Sequence, residues 1–156
     1  MNIFTLDEDL TKCAQYHCDK HVVKMITEYN QLMSTTCHVL GIKVEGIYKK
    51  THVNHPCAVW VRESRSNFEY LLQLNKELLK EYTYRYGKIH AGSRLIPIFE
   101  SIVDEIPEGK SSNPPICMPE DSKVGRSVVL SYRKYYLLHK RPISKWKLRG
   151  CPGWFR

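Results

Sequence analysis

LTKCAQYHCDKHVVKMITEYNQLMSTTCHVL, residues 10–40, decides the fold. On a helical wheel Cys18, Val22, Met25, Ile26, Tyr29, Leu32 and Met33 share one face. His17, His21, Lys24, Glu28 and Gln31 share another, at spacings of four, three, four and three. Asp7 or Asp9 offers an N-cap ahead of the stretch, and Gly41 stops it. The pattern predicts one long amphipathic helix over about Leu10 to Leu40.

Outward from that helix the chain continues to read as helical. Before it, Asn2 to Leu6 (NIFTL) reads as a short strand or an extended arm. After it, residues 41–53 form a loop with room for a short strand. Asn54-His55-Pro56 opens the next helix, with Pro56 near its first position. The apolar stripe Val61, Phe68, Leu71, Leu72, Leu78, Leu79 and Tyr82 carries it to Tyr86, with a break expected at Ser64–Ser66 and a stop at Gly87. Pro97 limits where a helix in 93–105 can begin. Residues 107–119 hold four prolines and read as a long irregular loop. A last helix spans about 125–139, and the end is irregular, held by its tryptophans. The expected fold is mainly α: a compact single-domain helical bundle over residues 1–156, with an irregular basic C-terminal segment.

Net charge is +8, and it is unevenly placed. Residues 122–156 hold ten Lys/Arg and no Asp/Glu, whereas residues 1–121 hold fourteen Lys/Arg against sixteen Asp/Glu. Such a segment attracts a polyanion and releases its counterions. No apolar run approaches the ~20 residues that a membrane helix needs. MNIFTLDEDL has acids where a secretory signal carries basic residues, so we expect a cytoplasmic protein with no membrane association. The six cysteines then read as thiols. No C-x-x-C pair occurs, so neither a structural zinc site of the usual spacing nor another cofactor is expected.

Three constellations carry chemistry. The first is the basic, aromatic C-terminal segment, with Arg133, Lys134, Tyr135, Lys140, Arg141 and Trp146 among its members. Cations there pair with phosphates, and aromatic faces stack on exposed bases. The second is the polar face of the long helix. Lys24 could act as a nucleophile if buried, and Glu28 as an acid or base. His17 and His21, four apart, could reach one metal ion, although HCDKH lacks the metalloprotease base. A solvated Lys24–Glu28 pair is the plainer reading of the same spacing. The third is VNHPCAVWVRES and EYTYRYGKIH, where His55, Arg62, Arg85 and Lys88 sit near helix ends and could extend a phosphate-binding surface.

Taken in order, HCDKHVVKMITEYNQLM (17–33), NHPCAVWVRES (54–64), LLKEYTYRYGK (78–88) and SYRKYYLLHK (131–140) resemble the pyrimidine-dimer DNA glycosylase family, of the phage endonuclease V type and its bacterial relatives. The resemblance implies a compact helical bundle. It implies an N-terminal α-amine that forms an imine with the sugar of the damaged nucleotide, a glutamate on the first helix that assists, and basic residues that hold distorted duplex DNA with an extruded base. Methionine is usually retained before a residue as large as Asn2, so the amine would be that of Met1. Glu28 is the nearest carboxylate on the matching helix and face.

Three functions follow as expectations. The leading one is a DNA glycosylase and lyase acting on a damaged or modified base, with Met1 or Lys24 as the amine and Glu28 as the carboxylate. In it His17, His21, His55, Arg62, Arg85 and Lys88 contact base and phosphate, and the C-terminal segment grips the backbone. The second is a nucleic-acid-binding or phage host-interaction protein without catalysis. The third is a metal-dependent nuclease using His17 and His21.

Overall fold

A computed structural model describes all residues from Met1 to Arg156. Six α-helices follow in order: α1 (Leu10–Tyr16), α2 (Asp19–Val39), α3 (Pro56–Glu63), α4 (Arg65–Tyr86), α5 (Ile96–Ile102) and α6 (Val128–Tyr135). Short 3-10 turns and a π turn at Tyr136–Lys140 join and extend them. The fold is all-α, and the strands considered for 2–6 and 41–53 do not form. No helix is long and apolar enough to cross a membrane.

Local signals set most boundaries. The Asp9 carboxylate accepts the Lys12 amide and starts α1. His55 caps α3, with Pro56 in its first turn, where the missing N–H costs nothing. Ser64 accepts the Asn67 amide and separates α3 from α4. Gly87 ends α4 at φ 66°, a left-handed conformation that glycine adopts without Cβ strain.

The long first helix is not continuous. It breaks at His17–Cys18, where both residues are extended. Residues 10–40 contain neither glycine nor proline, so the break has a tertiary cause. The Cys18 amide donates to Tyr136 Oη, and the Asp19 amide donates to the Lys145 carbonyl. Asp19 then occupies the first turn of α2, where a negative charge suits the helix dipole.

α2 and α4 pack along each other at the centre, with α1 on α4 and α3 against both. Tyr29, Leu32, Met33, Leu71, Leu74 and Leu78 are fully buried between them. Each such side chain contributes roughly 1.5–3 kcal/mol relative to exposure. A polar ladder crosses the same core: Asn75 Nδ2 donates to Asn30 Oδ1, and Asn30 Nδ2 donates to the Gly92 carbonyl.

Residues 2–6 are an extended arm threaded into the core rather than a tail. Ile3, Phe4 and Leu6 are buried. Side chains, not a neighbouring strand, satisfy the arm's backbone. The Phe4 amide donates to Tyr29 Oη at 3.1 Å, and the Leu6 amide to Cys13 Sγ. The Cys13 thiol donates to the Phe4 carbonyl, and Arg133 Nε to the Leu6 carbonyl. Asn2 Nδ2 donates to the Cys117 carbonyl and ties the arm to the 107–119 loop.

Candidate active site

The arm delivers the α-amine of Met1 to α2. Its nitrogen lies 3.9 Å from Glu28 Oε2, and Lys24 Nζ lies 3.6 Å from Glu28 Oε1. Glu28 is 19% exposed and Lys24 67% exposed, so the carboxylate is sheltered and the lysine reaches into solvent. Burial is what turns a lysine into a nucleophile, and Lys24 is not buried. His55 stands close enough for its charge to be affected by Met1, His52 and Glu28. Burial holds its pKa below the usual value, the positive neighbours add to that, and Glu28 opposes them. His52 adopts φ 48°, a conformation rare for a residue with a Cβ.

Two cysteines complete this corner. Cys57 and Cys117 place their sulfurs 3.9 Å apart, and His55 Nδ1 accepts the Cys57 amide at 3.1 Å. One ligand atom from each of His55, Cys57 and Cys117 lies within 4.8 Å of the others. The hydrogen bond from Cys57, helped by Met1 and Lys123, lowers the Cys117 pKa to about 7, whereas the Cys57 thiol is pushed up. Cys57 and Cys117 are sixty positions apart and carry no sequence motif, so the cluster could not be seen before the loop was placed.

His17 and His21 are hydrogen-bonded within the interior. Both are buried. His17 Nδ1 faces the Cys13 carbonyl at 2.8 Å, so it carries the proton, and Nε2 accepts from Tyr29 Oη at 2.9 Å. His21 Nδ1 accepts from Tyr136 Oη at 2.6 Å, and its ring lies 4.3 Å from that of Phe4. Burial drives the His17 pKa down to about 4 and the His21 pKa to about 3. These rings are neutral supports for the arm. His17 ends α1, His21 lies in α2, and each ring's lone pair is taken by a tyrosine hydroxyl.

Several expected DNA contacts also belong to the interior. The Arg85 side chain is 0% exposed and pairs with Glu81 at 2.8 Å, Asp19 at 2.9 Å and the Gln15 carbonyl at 2.8 Å. It cannot meet a phosphate from there. Trp146 is buried and donates from Nε1 to the Tyr16 carbonyl. Arg133 is committed to Asp7 and to the rings of Tyr16 and Trp154. Arg62 is half-buried and donates to the Val53 carbonyl. Part of the C-terminal positive charge is therefore committed to intramolecular pairs: the exposed Arg149 also pairs with the buried Glu81 at 2.9 Å and stacks on Tyr84.

Other cations remain outside. Lys88 and Arg141 are exposed, and Lys134 and Tyr135 are half-buried. Lys140 lies over Tyr135, and Arg141 over Phe155. Burial first, then the charges of His17, Lys140 and Lys24, lower the His21 pKa, so the π turn after α6 carries a cation near the N-terminal half of α2. The Met1 and Glu28 side chains are 5% and 19% exposed, so the amine–carboxylate pair is largely sheltered from solvent.

No curated protein and no solved structure matches the chain. A family model does match, that of pyrimidine dimer DNA glycosylase, over residues 1–93. That span holds the arm, α1 to α4 and the Met1–Glu28 pair, and by it the chain belongs to the pyrimidine dimer DNA glycosylase family.

Proposed function

We propose that the protein is a DNA glycosylase with an associated lyase step, acting on damaged duplex DNA through the α-amine of Met1. The observation that carries this reading is the 3.9 Å approach of that amine to Glu28. In the reaction the amine attacks C1′ of the damaged nucleotide as the glycosidic C1′–N bond breaks. The base leaves with the bonding electrons and takes up a proton. The amine attacks in its unprotonated form, and the nitrogen that becomes cationic on bonding to C1′ gives up a proton, for which Glu28 is the nearest base. The C1′–O4′ bond opens with a proton going to O4′. The product is an imine between Met1 and the opened sugar. Removal of a C2′ proton then expels the 3′ phosphate and nicks the strand.

The surroundings suit a polymer. Lys24 places positive charge next to Glu28, and Lys140 adds a cation over Tyr135 near His21. A phosphate backbone can lie across these cations while one nucleotide is turned out toward the amine.

Borohydride trapping on duplexes that carry a cyclobutane pyrimidine dimer or an abasic site tests the proposal. The expected result is one covalent adduct, mapped by mass spectrometry to Met1 and absent from a chain extended by one residue before Met1. A folded protein that binds DNA yet gives neither adduct nor nicked product would overturn it, as would an adduct on a lysine.

A further inference from the structure

We infer that His55, Cys57 and Cys117 form a binding site for one zinc-class divalent ion. The inference is independent of the glycosylase reading, because it concerns side chains that the amine mechanism does not use.

The geometry is that of a coordination sphere. Two sulfurs bound to one tetrahedral zinc at ~2.3 Å each lie about 3.8 Å apart. Cys57 and Cys117 are 3.9 Å apart, far beyond the ~2.05 Å of a disulfide. The His55 ring supplies the third donor within the 4.8 Å limit of the cluster. Two thiolates and one imidazole select zinc over magnesium or calcium, which take oxygen donors. Two ionised thiols would neutralise the ion, so the nearby Met1 amine would face no net positive charge from it.

Binding exchanges existing contacts rather than creating them from solvent. His55 Nδ1 now accepts the Cys57 amide, and the Cys57 thiol donates toward Cys117. Giving up one helix cap is a small loss beside the coordination of a zinc ion by two thiolates and an imidazole. The ion would join the start of α3 to the 107–119 loop. That loop holds the arm through the bond from Asn2 to the Cys117 carbonyl. The site is thus a clamp on the segment that presents Met1. Three protein ligands leave the fourth position for water.

Cobalt titration of the reduced, metal-stripped full chain tests this. One equivalent should produce a sulfur-to-cobalt charge-transfer band with tetrahedral visible bands, and one equivalent of zinc should displace it. Cys117→Ser and His55→Gln, both at half-buried positions, should each weaken binding at least ~10²-fold. Cys151→Ser, outside the cluster, should leave the titration unchanged. Circular dichroism of each variant checks folding, and Cys57→Ser is avoided as the main test because that side chain is fully buried. Absence of a thiolate band in folded, reduced wild-type chain would overturn the inference. So would a band that persists in both Cys117→Ser and His55→Gln.

Discussion

Tyr29 Oη accepts the Phe4 amide at 3.1 Å and donates to His17 Nε2, so one hydroxyl on α2 holds the arm that ends at Met1. Tyr29→Phe keeps the ring and deletes both bonds. The buried Phe4 N–H is then left without a partner, a loss of about 1–3 kcal/mol. Urea denaturation should show that loss. Single-turnover nicking should slow more than DNA affinity falls, because the amine is displaced while the cations are untouched. Equal losses in affinity and rate would contradict this role for Tyr29.

Glu28→Gln removes the base next to the amine and keeps its size. General-base losses run to ~10²–10⁴-fold, and a fall of that order is expected in the single-turnover rate. DNA affinity should be nearly unchanged, as should the melting temperature, since partly exposed ion pairs contribute about 0–1 kcal/mol. Lys24→Ala should leave the borohydride adduct in place. Loss of the adduct in Lys24→Ala with retention in Glu28→Gln would reverse the assignment.

Stability should fall as pH drops below about 6.5. His17 has a folded pKa of about 4 and His21 of about 3, both lowered first by burial from an ordinary 6.5. Between these values the unfolded chain binds protons that the folded chain refuses, so acid favours unfolding. Above 6.5 both states are neutral and this contribution is flat. For His17 the loss at pH 4 is on the order of 3 kcal/mol. Glu81 adds to it only at lower pH: burial raises its pKa, but Arg149 and Arg85 hold it below 4.5, so its contribution vanishes as acid protonates it. Denaturation midpoints between pH 7 and 4.5 measure the effect, and His17→Gln should flatten the profile.

Two kinds of arginine should separate in DNA-binding assays. Arg141→Ala, or Lys140→Ala, should weaken binding on every sequence and reduce the salt slope by about 0.9 for each phosphate no longer neutralised. Arg85→Ala should instead cost roughly 3–5 kcal/mol of stability, because Glu81 and Asp19 lose their buried partner. If Arg85→Ala leaves stability intact and lowers the salt slope, the arginine is not an interior residue in solution.

Elements whose limits depend on local chemistry were legible in the sequence. Pro56, Ser64 and Gly87 each act through their own backbone or a neighbour within three or four residues. The His17–Cys18 break was not, because its causes are Tyr136 and Lys145, more than a hundred positions away. The same limit applies at the site. The i, i+4 spacing brings Lys24 to Glu28, whereas Met1 arrives only by the path of the arm. In EYTYRYGK the charges can be read, but the sequence does not show that Arg85 points inward while Lys88 stays in solvent.

The threading of the arm also sets an order of assembly. Asn2 is fixed by a carbonyl 115 positions later, and Leu6 by an arginine 127 positions later. Segments synthesised first thus acquire their final place only after the last third of the chain is available. Long-range closures of this kind form late, after their loop entropy has been offset by other contacts. A nascent or truncated chain would hold the arm through Tyr29 and Cys13 alone, so Met1 would be fixed less firmly beside Glu28 until translation had passed residue 133.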